Sequence, residues 1–322
     1  MVTDVALACL GLVILLLAGD ALVRGAVNLA LRLGIPAFLV SLTIVAFGTS
    51  APELLVSVQA ILTGAAGIAL GNVIGSNIAN VLLVLGVPAM MTGLHTSGCD
   101  TRKTYVMMMI ATVVFIGLAY TDLFNWLDGT VLLLLLAVLL GDAFRTAIAH
   151  RRDTKAAACA AGDDLEDLEG ADASMPGWKV ALFLVLGLIG LPLGADLLVD
   201  SAVNIAEELN VPDTVIGLTL VALGTSLPEL ATTVMAALRG QTEVAIGNVI
   251  GSNLFNLLAI IGIASFVGPI PVAPETLQLD IWVMFAASAI LFPFVFMKRD
   301  MGRGTGVVLT AGYVGYLLVV II

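Results

Sequence analysis

The sequence predicts an all-α membrane protein of ten transmembrane helices, arranged as two inverted five-helix repeats. Three observations predict it. The chain is 60% apolar and only 11% charged, with a mean hydropathy of +1.11, whereas a soluble domain carries about 25% charged residues. Apolar runs of the length that crosses a bilayer, about 20 residues, recur along the whole chain. The sequence also matches itself at a constant offset of 176 residues, the separation of Glu53 and Glu229.

The spans are expected at 5–30, 37–62, 68–93, 103–120, 125–148, 178–205, 212–238, 244–268, 279–297 and 304–322. Met1 to Asp4 lacks a basic region, so the first run is expected to stay as a span rather than be cleaved. Short breaks separate the spans within each half, such as Gly34-Ile35-Pro36 and the Gly-containing stretch from Thr63 to Gly67. The one long break, 149–177, is rich in Ala, Asp, Glu and Gly and has no apolar periodicity. It reads as a mobile acidic linker, carrying Asp163, Asp164, Glu166, Asp167, Glu169 and Asp172. The domain reading is therefore a first five-helix repeat over 1–148, an acidic cytoplasmic loop over 149–177 and a second repeat over 178–322.

With ten spans the breaks alternate between two sides, and all 13 basic residues fall on or near one of them. That side holds Arg32, Lys103, Arg145, Lys179, Arg239 and Arg299 among others; the opposite side carries acids such as Asp122, Glu208 and Glu275. Lys and Arg stay cytoplasmic, so both termini are expected outside a cell membrane.

Residues 42–54 read LTIVAFGTSAPEL and residues 218–230 read LTLVALGTSLPEL; residues 69–77 read ALGNVIGSN and residues 245–253 read AIGNVIGSN. A gap-free register from Asp20/Asp196 to Gly86/Gly262 marks a duplication. Five spans is an odd number, so the second unit starts on the other side and runs upside down. Inverted repeats of this kind place a site near the midplane between the halves in secondary transporters.

Glu53 and Glu229 sit well inside apolar spans, where a charge costs about 2.5–3.5 kcal/mol or more. No Lys or Arg lies in either repeat core. Protonation or a bound cation is what remains. Thr49 and Glu53 are four apart and share a face of a continuous helix, as do Thr225 and Glu229. Pro52 and Pro228 are expected to kink these helices and free the carbonyls of Gly48 and Gly224. Ser76 and Asn80, with Asn72, form one polar stripe at i, i+4, i+8, repeated at Asn248, Ser252 and Asn256. Asn72 and Asn77 read equally well as interhelical glue. Gly71 and Gly75 give a small-xxx-small pattern for close helix approach.

Pooled, the halves offer two carboxylates, the Asn/Ser stripes, the Thr and Ser hydroxyls and freed carbonyls. These hard oxygens suit Ca²⁺, which takes 6–8 of them in flexible geometry. They also suit Na⁺, and they do not suit zinc or copper. His95 and His150 lie at membrane edges, and Cys9, Cys99 and Cys159 are scattered. An anionic substrate is excluded by the absence of cationic side chains, and protons on Glu53 or Glu229 are the alternative to Na⁺. Asp20 and Asp196 form a second acidic pair near the middle of spans one and six. An intramembrane aspartyl protease also uses two aspartates, but neither here has the Gly-x-Gly-Asp flank of that class, and helix-contact or access-path roles are expected.

The paired Gly-Thr-Ser-x-Pro-Glu and Gly-Asn-x-x-Gly-Ser-Asn segments resemble the two alpha repeats of the sodium/calcium exchangers, within the cation/calcium antiporter superfamily. The proton-coupled branch typically has Gly-Asn-x-x-Glu where this chain has Gly-Thr-Ser-x-Pro-Glu. The resemblance implies Ca²⁺/Na⁺ antiport by alternating access, with spans one and six as a sliding gate, no enzyme activity and no cofactor beyond the transported ions. It implies Glu53, Glu229, Thr49, Ser50, Ser76, Thr225, Ser226 and Ser252 as ligands, carbonyls from Ala46 and Ala222, and Asn80 and Asn256 as a central pair. Some members carry Asp at one position of that pair; this chain has Asn at both. The expected partners are ions and the lipid bilayer, with no nucleic acid and no obligate protein. A proton-coupled cation antiporter and a passive cation channel are the competing readings.

Overall fold

The structure is a computed structural model and describes residues 2–99, 101–158, 175–209 and 222–321. Most of the acidic linker and the first part of the seventh expected span, from 212, lie outside the described residues. The helices are α1 (Val2–Leu33), α2 (Ala37–Thr49), α3 (Ala51–Leu62), α4 (Ala66–Thr92), α5 (Arg102–Ala119) and α6 (Trp126–Ala158). After the linker come α7 (Gly177–Glu208), one short turn at Ala222–Gly224, α8 (Leu227–Leu238), α9 (Thr242–Val267), α10 (Thr276–Phe296) and α11 (Arg303–Ile321).

Eight of these are long and apolar enough to cross a membrane among the described residues, and α2 with α3 makes a ninth crossing bent by 40°. The shorter apolar helix α8 follows directly on the undescribed stretch. Helix ends fall within a few residues of the expected ones, marked by Gly, Pro and charge, except that α6 runs on to Ala158, ten residues into the stretch expected as linker. Gly34, Gly64, Gly93 and Gly240 all have positive φ at these breaks, a conformation glycine adopts without a steric cost.

The helices divide into an enclosed pair and a lipid-facing rim. α4 and α9 are buried over most of their length, whereas α1, α6, α7 and α11 expose Leu and Val such as Leu17, Leu134, Val138, Leu193 and Val308. Between these layers, Leu70, Val73, Ile74, Ile78, Val249, Ile250, Leu257 and Leu258 pack into one continuous core with Met108 and Phe115 of α5. α2 crosses α9 closely: a Cβ on Gly247 would lie 2.8 Å from the Phe38 carbonyl oxygen. The close approach falls at Gly247 and Gly251 of the second repeat, whereas at Gly71 and Gly75, where the small-xxx-small pattern is read in the sequence, a Cβ would meet nothing within 4 Å among the described residues.

Loops from the two halves pair at two places. Leu94 and Met301 form a backbone bridge at the end rich in Lys and Arg. At the opposite end β1 (Leu123–Phe124) pairs antiparallel with β2 (Ile270–Pro271), Phe124 opposite Ile270. His95 is exposed and its Nδ1 sits 3.2 Å from Asp300. Asp300 also accepts the Ser97 backbone N–H, which holds its carboxyl below the usual carboxylate range.

α1 and α7 lie antiparallel and back to back. Cβ atoms on Gly11 and Gly194 would each come within 3.0 Å of the other's helix backbone, so only glycine permits this spacing. The pair lies over the core, with α1 seated on α8 and α7 beside Gly48 and Gly224.

Candidate ion-binding site

The polypeptide breaks at the two Gly-Thr-Ser-x-Pro-Glu segments. Ser50 has φ −86° and ψ 5°, outside the helical range, and Ser226 has φ −88° and ψ 0°. This corrects the expectation of a kinked but continuous helix. Pro52 and Pro228 do not distort a helix interior; they sit in the first turn of α3 and α8, where the missing N–H would have had no partner anyway. The i, i+4 argument that aligned Thr49 with Glu53 therefore does not apply, since the two residues belong to different helices.

The break gives each glutamate a better position than a kink would. Glu53 and Glu229 fall in the first turns of α3 and α8, where the helix dipole favours negative charge by up to about 2 kcal/mol in buried settings. Both are fully buried. They lie close enough to repel one another when both are ionised. Glu229 Oε1 accepts a hydrogen bond of 3.1 Å from the Ser50 hydroxyl, across the two halves.

The π-helical turns Asn80–Val84 and Phe255–Ile260 widen α4 and α9 at the repeated Asn positions. Such turns recur at functional sites because they release backbone from the regular ladder. Asn80 and Asn256 are buried there, as are Ser76 and Ser252 one turn earlier. Asn80 Nδ2 donates to Asn253 Oδ1 at 3.1 Å, and Asn253 in turn faces the Met108 sulfur.

Among the described residues, seven buried side-chain oxygens in this region have no hydrogen-bond partner: both of Glu53, Glu229 Oε2, Asn80 Oδ1, Asn256 Oδ1, Ser226 Oγ and Ser252 Oγ. Leaving one buried polar group unpaired costs about 1–3 kcal/mol, more when it is charged. All seven belong to residues that the sequence nominates. No Lys or Arg reaches them among the described residues. Nor do three His, Cys, Asp or Glu side chains gather anywhere among those residues. The donor set is thus two carboxylates with neutral oxygens, which fits a hard cation carried as cargo.

The remaining nominated groups lie beside these. Thr49 and Ser50 are buried. The Ala46 carbonyl accepts the Ser50 backbone N–H at 3.0 Å, with a lone pair to spare. The counterpart is not the same, because the Ser226 N–H reaches the Leu223 carbonyl. Ala222 opens its short helical turn. Thr225 Oγ1 lies 3.5 Å from Asn72 Oδ1.

The sequence passes over three features. Ser57 and Thr233 receive hydrogen bonds from Asn72 and Asn248; they stand one helical turn beyond each glutamate, a signal open to reading. Asn253 is the last residue of the repeated Gly-Ser-Asn. The third is the partner of Asp20: near the middle of α1, this residue pairs with Arg24 at 3.0 Å and with Arg239, just past the end of α8. Asp196 is exposed.

An enclosed oxygen-lined centre with two carboxylates, inside a bundle of membrane-length helices, is the build of an ion transporter. The chain belongs to the sodium/calcium exchanger family, whose profile matches residues 3–143 and 179–322. It is 35% identical to the sodium/calcium exchanger MaX1 of Methanosarcina acetivorans over 341 aligned positions, covering 96% of each chain. It is 32% identical to the inner membrane protein YrbG of Escherichia coli, covering 98% of this chain and 96% of that one. A solved structure of the sodium-calcium exchanger NCX_Mj superposes with a TM-score of 0.82 at 31% identity over 99% of both chains. The chain is accordingly a membrane transporter and not an enzyme.

Proposed function

We propose that this protein is a secondary active antiporter that exchanges Ca²⁺ for Na⁺ across the cell membrane by alternating access. The observation that carries the reading is the group of seven unpaired buried oxygens around Glu53 and Glu229. One Ca²⁺, or more than one Na⁺, would balance the two carboxylates. An empty site leaves two like charges in a low-dielectric core, which costs several kcal/mol. The empty transporter therefore crosses between access states poorly, and exchange is obligatory. Glu53, Glu229, Thr49, Thr225, Ser50, Ser226, Ser76, Ser252, Asn80, Asn256 and the carbonyls of Ala46 and Ala222 form the ligand set in this reading.

The architecture that goes with it has ten spans in two inverted repeats, 1–148 and 178–322, joined by a cytoplasmic linker at 149–177, with both termini outside. The antiparallel α1/α7 pair and the alternating loop contacts at the two ends support it. In this scheme α1 and α7 slide as one unit over a core that stays still.

The test is ⁴⁵Ca²⁺ uptake into proteoliposomes under an imposed Na⁺ gradient, an imposed pH gradient, or neither. Uptake driven by Na⁺ alone is expected. Uptake driven only by the pH gradient would replace Na⁺ by H⁺, and uptake without any counter-ion gradient would mark a passive channel.

A further inference from the structure

Asn72 and Asn248 make the same three hydrogen bonds in opposite directions across the centre. Asn72 Nδ2 donates to the Glu53 carbonyl at 3.2 Å and to the Ser57 hydroxyl at 3.1 Å. Asn248 Nδ2 donates to the Glu229 carbonyl at 3.5 Å and to the Thr233 hydroxyl at 3.2 Å. A carbonyl can only accept, so these bonds fix which end of each amide faces its own half. The other end, the amide oxygen, then points to the opposite half. There Asn248 Oδ1 accepts from Thr49 Oγ1 at 3.3 Å, and Asn72 Oδ1 accepts from Thr225 Oγ1 at 3.5 Å.

A threonine hydroxyl has one proton and two lone pairs. Where that proton goes decides what the oxygen can offer a cation. Thr49 has a second acceptor within reach, the Ala46 carbonyl at 3.3 Å. A proton committed there would occupy an oxygen assigned to the ion and turn the hydroxyl away. A proton committed to Asn248 leaves both the Thr49 oxygen and the Ala46 carbonyl facing inward as acceptors. On the other side Asn72 is the only partner of the Thr225 hydroxyl among the described residues.

We infer that Asn72 and Asn248 are crossed positioning residues: each anchors the glutamate-bearing helix of its own half and takes up the hydroxyl proton of the other half's threonine, so that Thr225 and Thr49 meet the cation only with lone pairs. The inference rests on the exchange reading above. It also separates these residues from simple interhelical glue, which would couple each Asn to Ser57 or Thr233 on its own half and not to a threonine on the other.

Double-mutant cycles on the purified full-length chain test this, with Ca²⁺ binding followed by calorimetry. Asn72→Leu and Asn248→Leu are each expected to weaken Ca²⁺ binding about tenfold or more, the usual effect of losing a group that orients a metal ligand. Adding Thr225→Val to Asn72→Leu, or Thr49→Val to Asn248→Leu, is expected to cost little more. The uncrossed doubles, Asn72→Leu with Thr49→Val and Asn248→Leu with Thr225→Val, are expected to multiply. Asn72→Ser and Asn248→Ser carry the same cycles should the leucine variants fail to fold. Equal multiplication in crossed and uncrossed pairs would overturn the inference while leaving the exchange reading intact. A wild-type chain that does not bind Ca²⁺ would overturn both.

Discussion

The two halves share a motif but not a state of pairing. In one, Glu229 is held by Ser50; in the other, among the described residues, Glu53 has neither oxygen paired and Ser226, the counterpart of Ser50, has no partner. The α1/α7 pair differs in the same way. α1 is tied to the core through Asp20 and Arg239, whereas at the repeat-equivalent positions stand Asp196 and Thr63. Arg24 is replaced there by Asp200. Duplication supplies the motif twice, and small departures from symmetry give its two copies different chemistry. A perfectly symmetric site would have no reason to prefer one face.

The largest effect that can break this comparison comes from the carboxylates themselves. Glu53→Gln and Glu229→Gln are each expected to lower Ca²⁺ exchange in proteoliposomes by more than about 100-fold, since either removes half of the charge that the cation balances. Wild-type-like exchange in both would remove the basis for the site. Of the two, Glu229→Gln keeps a hydrogen-bond partner in Ser50 and is expected to fold at least as stably as the parent.

The next effect separates the halves directly. A hydrogen bond contributes about 0.5–1.5 kcal/mol net; Ser50 donates one to Glu229 at 3.1 Å, whereas Ser226 has no partner among the described residues. Ser50→Ala is expected to lower the thermal unfolding midpoint of the ion-free protein by a few degrees, while Ser226→Ala leaves it unchanged. Both are expected to weaken Ca²⁺ binding. Equal midpoints for the two variants would show that the halves are equivalent in the ion-free state.

A smaller effect concerns the doubled Asn. Asn80 Nδ2 is already donated to Asn253, whereas neither polar atom of Asn256 has a partner. Asn256→Asp therefore adds a carboxylate without breaking a bond, and is expected to raise the preference for Ca²⁺ over Na⁺ about tenfold in competition binding, since ligand charge tunes affinity. Asn80→Asp is expected to weaken binding instead, because it sets a carboxylate oxygen against Asn253 Oδ1. The opposite ranking would mean that the two positions are interchangeable.

The boundaries of the helices and the identity of the oxygen-bearing residues were legible because both are local. Gly34 and Gly93 mark edges by backbone conformation, and Glu53 stands out because nothing near it in sequence is basic. The breaks at Ser50 and Ser226 were not legible. A proline after two hydroxyl residues reads equally as a kink or as the start of a new helix, and only packing decides. The crossed bonds of Asn72 and Asn248 depend on docking between segments more than 150 residues apart in sequence. The ion pair of Asp20 with Arg239 was not legible, for a geometric reason. α1 has 32 residues and is about 48 Å long at 1.5 Å per residue, against a hydrocarbon core of about 30 Å. The middle of such a helix need not lie at the middle of the membrane.

That ion pair of Asp20 leads to the smallest expected effect and the most direct test of how α1 is held. Beneath α1, Val23 and Val27 cover Ala236, Val244 and Ala245 near the basic end of the core, and Ala236 is fully buried. The Asp20–Arg239 pair, with Arg24 alongside, is partly screened by solvent, so its loss is expected to shift the gate by severalfold rather than to release it. A cysteine introduced by Ala236→Cys, with Cys9, Cys99 and Cys159 replaced by alanine, reports that shift as its rate of labelling by a water-soluble maleimide. Arg239→Gln and Asp20→Asn are each expected to raise the rate about threefold to tenfold, and the two together no further, because they remove one shared contact. Thr63→Val, at the equivalent place in the first half, is expected to leave the rate unchanged, since no ion pair exists there to lose. Equal labelling in all of these variants would mean that α1 is held by its apolar contacts alone, and that the two ends of the gate differ in charge but not in hold.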